Sequence, residues 1–190
     1  MRVKAIKVLV LFTDGRPTAF HDVFDVVKPP SKYDGVLTVD SAGTAIQGMY
    51  DPTNGNMVTG FDSNGKPVET GSSFVRGGRS SGGSSMPLDL PGGLTANGTN
   101  ALALATSAVE DQANTIRAAG YRIYCIGLGN LDAAEPTDQP DLDLLRRVAN
   151  VGGMTNPNQP RGDMLFAPSS ADLKTVFGQV ADRILTRLTR

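Results

Sequence analysis

The residue best placed for chemistry is Asp14, which ends the run Val8-Leu9-Val10-Leu11-Phe12-Thr13-Asp14-Gly15. Five apolar residues closing on a small polar triplet read as a parallel strand covered by helices on both faces. The C-terminal end of such a strand opens on the crevice where α/β sheets bind ligands, so a carboxylate there suits ligand or metal work. Phosphoryl transfer from that position needs a second aspartate two residues on, and Arg16 stands there instead, so a nucleophile and acid pair is missing. His21 is the sole histidine, and no serine, histidine and aspartate set sits at a nucleophile elbow. Cys125 lies inside the apolar run Tyr121-Arg122-Ile123-Tyr124-Cys125-Ile126-Gly127, which reads as a buried, inert thiol.

Other motifs are weaker. Gly127-Leu128-Gly129 invites a dinucleotide reading, but the third glycine of that fingerprint is replaced by Asp132 and the next helix starts too late to receive a pyrophosphate. The loop carrying Asp132, Glu135, Asp138, Asp141 and Asp143 reads as solvated, with Asp141 capping a helix from Leu142 to Asn150 and metal ligation by the group left as an alternative. Arg161-Gly162-Asp163 spells an integrin-binding tripeptide, and with Pro160 before it it reads more simply as a turn into a strand. Tyr50 to Gly55 and Phe61 to Gly65 each place an aromatic and an aspartate ahead of Asn-Gly, the signal of two successive hairpins with type I′ turns. Their Asp and Asn residues suggest a calcium loop, but the alternating carboxylates of such loops are missing and turn-making is preferred.

The elements that must position these residues follow from pattern. A strand is predicted over residues 3 to 12 and a β and loop insertion over 16 to 99, with a mobile Gly/Ser-rich linker from 71 to 98. Neither Gly-Lys-Ser nor Gly-Lys-Thr occurs there, which argues against a phosphate-cradling loop. A helix from 100 to 119 capped at Thr99-Asn100 and closed by Gly120, a strand from Tyr121 to Leu128, the Leu142 helix, a strand over Met164 to Ala167 and a last helix capped by Ser169 or Ser170 complete the chain. The last helix is expected to bury Leu173, Val176, Phe177, Val180, Ile184 and Leu188. With 190 residues and a net charge of −1, this is one globular domain carrying an insertion, and nothing basic enough to imply nucleic acid. The Val8 run is too short for a membrane span or a signal peptide.

Omitting the insertion, the order is strand, helix, strand, helix, strand, helix, a parallel right-handed α/β pattern whose strand ends at Asp14, Gly129 and Pro168 share one rim. Over residues 1 to 15 and 100 to 190 these segments resemble the C-terminal half of a von Willebrand factor A domain, most of all the bacterial ones of TadG-type pilus assembly proteins. The resemblance implies a Rossmann-like three-layer α/β fold, here incomplete. It also implies a non-enzymatic, extracytoplasmic adhesion or pilus-assembly module that binds a protein ligand or cell-surface component through a divalent ion, with no small-molecule substrate. Of the family's metal-ion-dependent adhesion site only the aspartate of the Thr-Asp-Gly loop has a counterpart, Asp14. The Asp-x-Ser-x-Ser loop is absent, so Mg²⁺ or Mn²⁺ is expected to bind weakly at a vestigial site.

In the family's sheet the strand matching Val8 to Phe12 lies beside the first strand, in the middle, whereas here it becomes an edge, which invites association. The expected cover is the insertion's hairpins, a second chain, or residues of a longer protein of which this is a fragment. The alternative functions are a β-rich surface protein whose insertion makes the contacts, and a phosphoryl-transfer enzyme.

Overall fold

Large apolar and β-branched side chains pack well on a pleated surface, and the run around Leu9 forms strand β1 (Lys7–Thr13). The computed structural model describes residues 6–27, 30–40, 42–73, 88–129, 139–152 and 155–188. After β1 come β2 (Ala19–Val27), β3 (Pro30–Val39), β4 (Ile46–Tyr50), β5 (Asn56–Phe61), β6 (Pro67–Ser73), β7 (Leu88–Leu90) and β8 (Leu94–Thr95). Then follow α1 (Gly98–Ala118), β9 (Tyr121–Leu128), α2 (Leu142–Val148), β10 (Asp163–Ala167) and α3 (Leu173–Leu188). The chain is mixed α/β and forms two compact units, one of residues 1–16 with 106–190 and one of residues 17–105. Among the described residues no helix is long and apolar enough to cross a membrane.

The first unit is a parallel sheet in the order β1-β9-β10. β9 is the middle strand, paired along its length with β1 (Lys7 to Tyr121 through Thr13 to Gly127) and then with β10. Side chains of a strand alternate between faces. Ile123 and Cys125 pack with Val109 and Ala113 of α1 and with Leu144, Leu145 and Val148 of α2 on one face; Tyr124 and Ile126 pack with Val176 and Val180 of α3 on the other. The three expected strands are present, parallel and end on one rim; the first, expected over 3 to 12, is Lys7–Thr13, with residues 3 to 5 outside the described residues.

Helix boundaries follow local chemistry. Asp141 Oδ1 accepts from the Leu144 backbone N–H at 2.9 Å, which satisfies one of the orphan donors of α2. The cap of α1 is Asn97, whose Oδ1 accepts from Asn100 N at 2.9 Å, rather than Thr99-Asn100; the helix starts earlier than expected because Asn97 offers the capping oxygen first. Gly120 closes α1 at φ 87°, a conformation open to glycine at little cost. The carbonyls at the end of α2 are taken by a buried cation. Arg117 of α1 is 5% exposed and donates to Arg147 O at 3.1 Å, to Val148 O and to Gln159 Oε1 at 2.8 Å. Burial lowers its pKa, but a guanidinium stays charged in proteins, and a cation suits a helix C-terminus.

The second unit is an antiparallel sheet in the order β6-β5-β4-β3-β2-β7-β8. Its core joins Phe20, Phe24 and Val26 of β2, Tyr33, Leu37 and Val39 of β3, Met49, Val58 and Leu90, closed by Ala101 and Ala105 from the first turns of α1. Both expected hairpins are there, joining β4 to β5 and β5 to β6, but neither turn is type I′. Gly55 and Gly65 take positive φ while Asn54 and Asn64 do not. The aspartates set the turns instead: Asp51 Oδ1 accepts from Thr53 N at 2.6 Å and Asp62 Oδ1 from Asn64 N at 2.8 Å and Lys66 N at 2.9 Å, so each aspartate folds the chain back before the glycine is reached. The linker expected over 71 to 98 is in part sheet. β6 runs to Ser73, and Leu88 and Asp89 pair with Val26 and Asp25 of β2; the stretch from 74 to 87 lies outside the described residues.

Gly162 shows how tightly β10 enters its sheet. A Cβ there would stand 1.6 Å from the carbonyl oxygen of Ile123, a backbone clash that no rotamer relieves. Gly162→Ala is therefore expected to destabilise the protein by about 3 kcal/mol or more, read as a lower urea midpoint. Gly178 sits inside α3 with open space where a methyl group would stand, and Gly178→Ala is expected to raise stability by about 1 kcal/mol.

Candidate functional site

The rim of the parallel sheet is built from the ends of its strands. β1 stops at Thr13, whose Oγ1 accepts from Gly15 N at 3.3 Å and donates to Gly15 O at 3.1 Å. This small hydroxyl-closed turn leaves Asp14 exposed at the C-terminal end of the strand. Gly129 N donates to Ala167 O at 3.2 Å, which ties the ends of β9 and β10 together beside it. Among the described residues no three His, Cys, Asp or Glu side chains gather as a metal set. Asp14 thus offers a single carboxylate, and the described residues do not by themselves form a shell for Mg²⁺, which asks for near-octahedral oxygen ligation. Asp132, Glu135 and Asp138 of the acidic loop lie outside the described residues; Asp143 pairs with Arg146 at 2.6 Å.

The other sequence candidates are scattered. His21 belongs to the second unit, on the outward face of β2, where Nε2 meets Asp34 Oδ1 at 2.5 Å. Gly127 is glycine for packing: a Cβ would lie 3.1 Å from Leu142 and Leu145 and 3.3 Å from Pro140. The tripeptide Arg161-Gly162-Asp163 is not displayed at a loop tip, since Gly162 is buried and Asp163 pairs with Arg183 of α3. Cys125 is fully buried.

What the rim lacks in ligands the neighbouring edge supplies in apolar surface. Among the described residues β1 pairs with β9 alone and is an outer strand of its sheet. Leu9, Val10 and Phe12 are 38, 41 and 43% exposed, unusual for a strand this apolar on both faces. Val8 and Leu11 are only partly covered, by the α3 and the α1–α2 cores respectively. The helix above adds to this surface. Arg183 pairs with Asp163 of β10, so helical geometry turns the flank bearing Phe177 and Leu185 away from β10, toward the β1 side. Phe177 is 47% and Leu185 58% exposed. Phe177 is thereby not in the buried face expected of it: helical spacing puts it beside the stripe of Val176 and Val180 rather than within it, and the Leu188 side chain lies outside the described residues.

Sequence reasoning missed two polar hubs. One is Arg117 at the end of α2. The other is Asn150, 1% exposed at φ 58°, whose side chain accepts from Asn156 N at 2.7 Å and donates to Asn156 O at 2.9 Å and Gln159 O at 3.1 Å. An asparagine just past a helix end is the signal that could have found the second, because Asn tolerates the left-handed region.

Burial in the β9 core pushes the Cys125 thiol up to about 12, against about 8.5 in an unfolded chain. A raised acid holds its proton in the fold and releases it on unfolding, so its contribution is complete below the unfolded value and lost as pH climbs toward the folded one. Stability is expected to fall from about pH 8.5 upward by up to about 1.4 kcal/mol per unit. Urea unfolding between pH 7 and 10 checks this, with Cys125→Ala giving the flatter curve.

No protein-family model matches the chain, and comparisons with curated proteins and with solved structures found no match.

Proposed function

We propose that this chain is a non-enzymatic protein-binding module of the adhesion or pilus-assembly kind, which takes its partner along the outer edge of β1 beside the Asp14 rim. The observation that carries this reading is the exposure of Leu9, Val10 and Phe12 on an outer strand. A strand added there gains main-chain hydrogen bonds whatever its sequence, and the alternating side chains of β1 select which strand fits. Phe177 and Leu185 of α3 extend the contact beyond one strand. Asp14 then acts as an accessory: Mg²⁺ or Mn²⁺ held by one carboxylate is weakly bound, and a partner's oxygen atoms strengthen it. The extracytoplasmic setting rests on the resemblance of residues 1 to 15 and 100 to 190 to von Willebrand factor A domains of pilus assembly proteins.

An edge that binds strands also binds its own copy. Antiparallel pairing of two β1 strands about Val10 sets the Lys7 end of each chain against the Thr13 end of the other and stacks their apolar side chains in register. Sedimentation equilibrium is expected to show concentration-dependent dimers, and Val10→Lys to weaken them by about tenfold or more, since it buries an unpaired charge. A chain monomeric at every concentration, or a variant that dimerises equally well, contradicts the edge reading. For the rim, calorimetric titration of Mg²⁺ and Mn²⁺ is expected to give weak binding that Asp14→Ala removes; equal heats from both proteins place the ion elsewhere.

A further inference from the structure

The second unit holds a polar cluster that neither the turns nor the edge account for. Asp51 opens the loop between β4 and β5, and Glu69 of β6 reaches over it. Glu69 Oε2 accepts from Asn54 Nδ2 at 2.9 Å and Asn56 Nδ2 at 3.0 Å. Asp51 Oδ1 accepts from the Thr53 backbone N–H at 2.6 Å and its hydroxyl at 2.5 Å. Each carboxylate is thus fixed through one oxygen, and the two lie within hydrogen-bond reach of each other. The Thr53 hydroxyl and backbone N–H hold the Asp51 carboxyl below the usual carboxylate range, and a cation placed between two neighbouring carboxylates is attracted by both.

Beneath them is a group with nothing to bond. Tyr33 is 8% exposed, and its hydroxyl is buried with no hydrogen-bond partner. Asp51 lies close to that hydroxyl without the geometry of a hydrogen bond, and the charges of Asp51 and Glu69 both act on it. Its ring is locked edge-on against Phe61, 5.3 Å between centroids, so the hydroxyl cannot swing out to water. Burial, then the neighbouring carboxylates, push the phenol's pKa up, which keeps it a neutral oxygen. A buried polar group left unpaired in a native fold marks the place of a water or an ion.

We propose that Asp51, Glu69 and the Tyr33 hydroxyl form a calcium site, with the two carboxylates as charged ligands, the hydroxyl as a neutral one and water completing the shell. It is not a loop of alternating carboxylates, nor a set of three acidic or histidine ligands; the third donor is a tyrosine oxygen contributed by β3. Calcium suits it because that ion accepts irregular oxygen shells with water among them, whereas Mg²⁺ demands an octahedron that ligands from three separate strands and turns do not present. The ion ties the β4–β5 turn to β6 and to the buried ring of β3.

The chain has no tryptophan and four tyrosines, so Tb³⁺, a luminescent substitute for Ca²⁺, bound beside Tyr33 is excited through tyrosine. The full chain is expected to give tyrosine-sensitised Tb³⁺ emission that Ca²⁺ displaces. Glu69→Gln and Asp51→Asn, which keep the accepting oxygen but lose the charge, are expected to weaken Tb³⁺ binding by about tenfold or more each, and Tyr33→Phe to dim the emission. Absence of calcium-displaced emission, unchanged affinity in both charge-neutral variants, or undimmed emission from Tyr33→Phe overturns the proposal.

Discussion

The ladder between β1 and β9 carries the first unit, and its one-sidedness shapes everything near the rim. Seven residues of β1 are matched one to one with seven of β9, so β1 is fixed in register and its end places Asp14 level with the ends of the other strands. A parallel strand with apolar side chains on both faces gains most when it is covered on both faces and flanked on both edges. β1 has part of that cover: Val8 and Leu11 reach the two cores, while Leu9, Val10 and Phe12 stay more than a third exposed. Phe177 and Leu185 of α3 are likewise exposed. The apolar composition of β1 and its outer position together leave apolar side chains exposed there.

Polar groups in the same unit are handled differently, and this sets the contrast between core and rim. Arg117 and Asn150 direct most of their hydrogen bonds to the backbone at the end of α2 and in the loop to β10, where unmet carbonyls would be costly. Gly162 lets that loop lie directly on Ile123. The loop entering β10 is therefore closely packed and well bonded; β10 is the other outer strand, but among the described strands of this sheet the exposed large apolar side chains are concentrated on β1.

Much of the first unit was legible in the sequence because local and tertiary preferences agree there. The apolar run at Tyr121, the Asp141 cap and the Gly120 stop each act through neighbours in the chain, and β9, α2 and the end of α1 fall where those signals put them. The β2–β3 hairpin was not legible as such. Phe20, Phe24 and Val26 face the core, but Val23 and Val27 on the outward face are 46 and 44% exposed, which blurs the period of two that marks a half-buried strand. Phe177 followed helical spacing but lies beside the buried stripe of α3 and stays 47% exposed. The Tyr33, Asp51 and Glu69 cluster joins residues from three strands and turns, a juxtaposition that only the register of the antiparallel sheet creates. The one trace of it in the sequence is the glutamate that breaks the echo between Val58-Thr59-Gly60 and Val68-Glu69-Thr70-Gly71.

The central claim, that the outer edge of β1 is a binding edge, is tested most directly by amide hydrogen exchange over residues 7 to 13 as the protein is concentrated. The amides of β1 that point away from β9 are expected to exchange quickly in dilute solution and to gain protection with concentration, while β9 stays protected throughout. Full protection of every β1 amide in dilute monomer, equal to that of β9, would mean that the edge is already satisfied within the chain, and the account would fail.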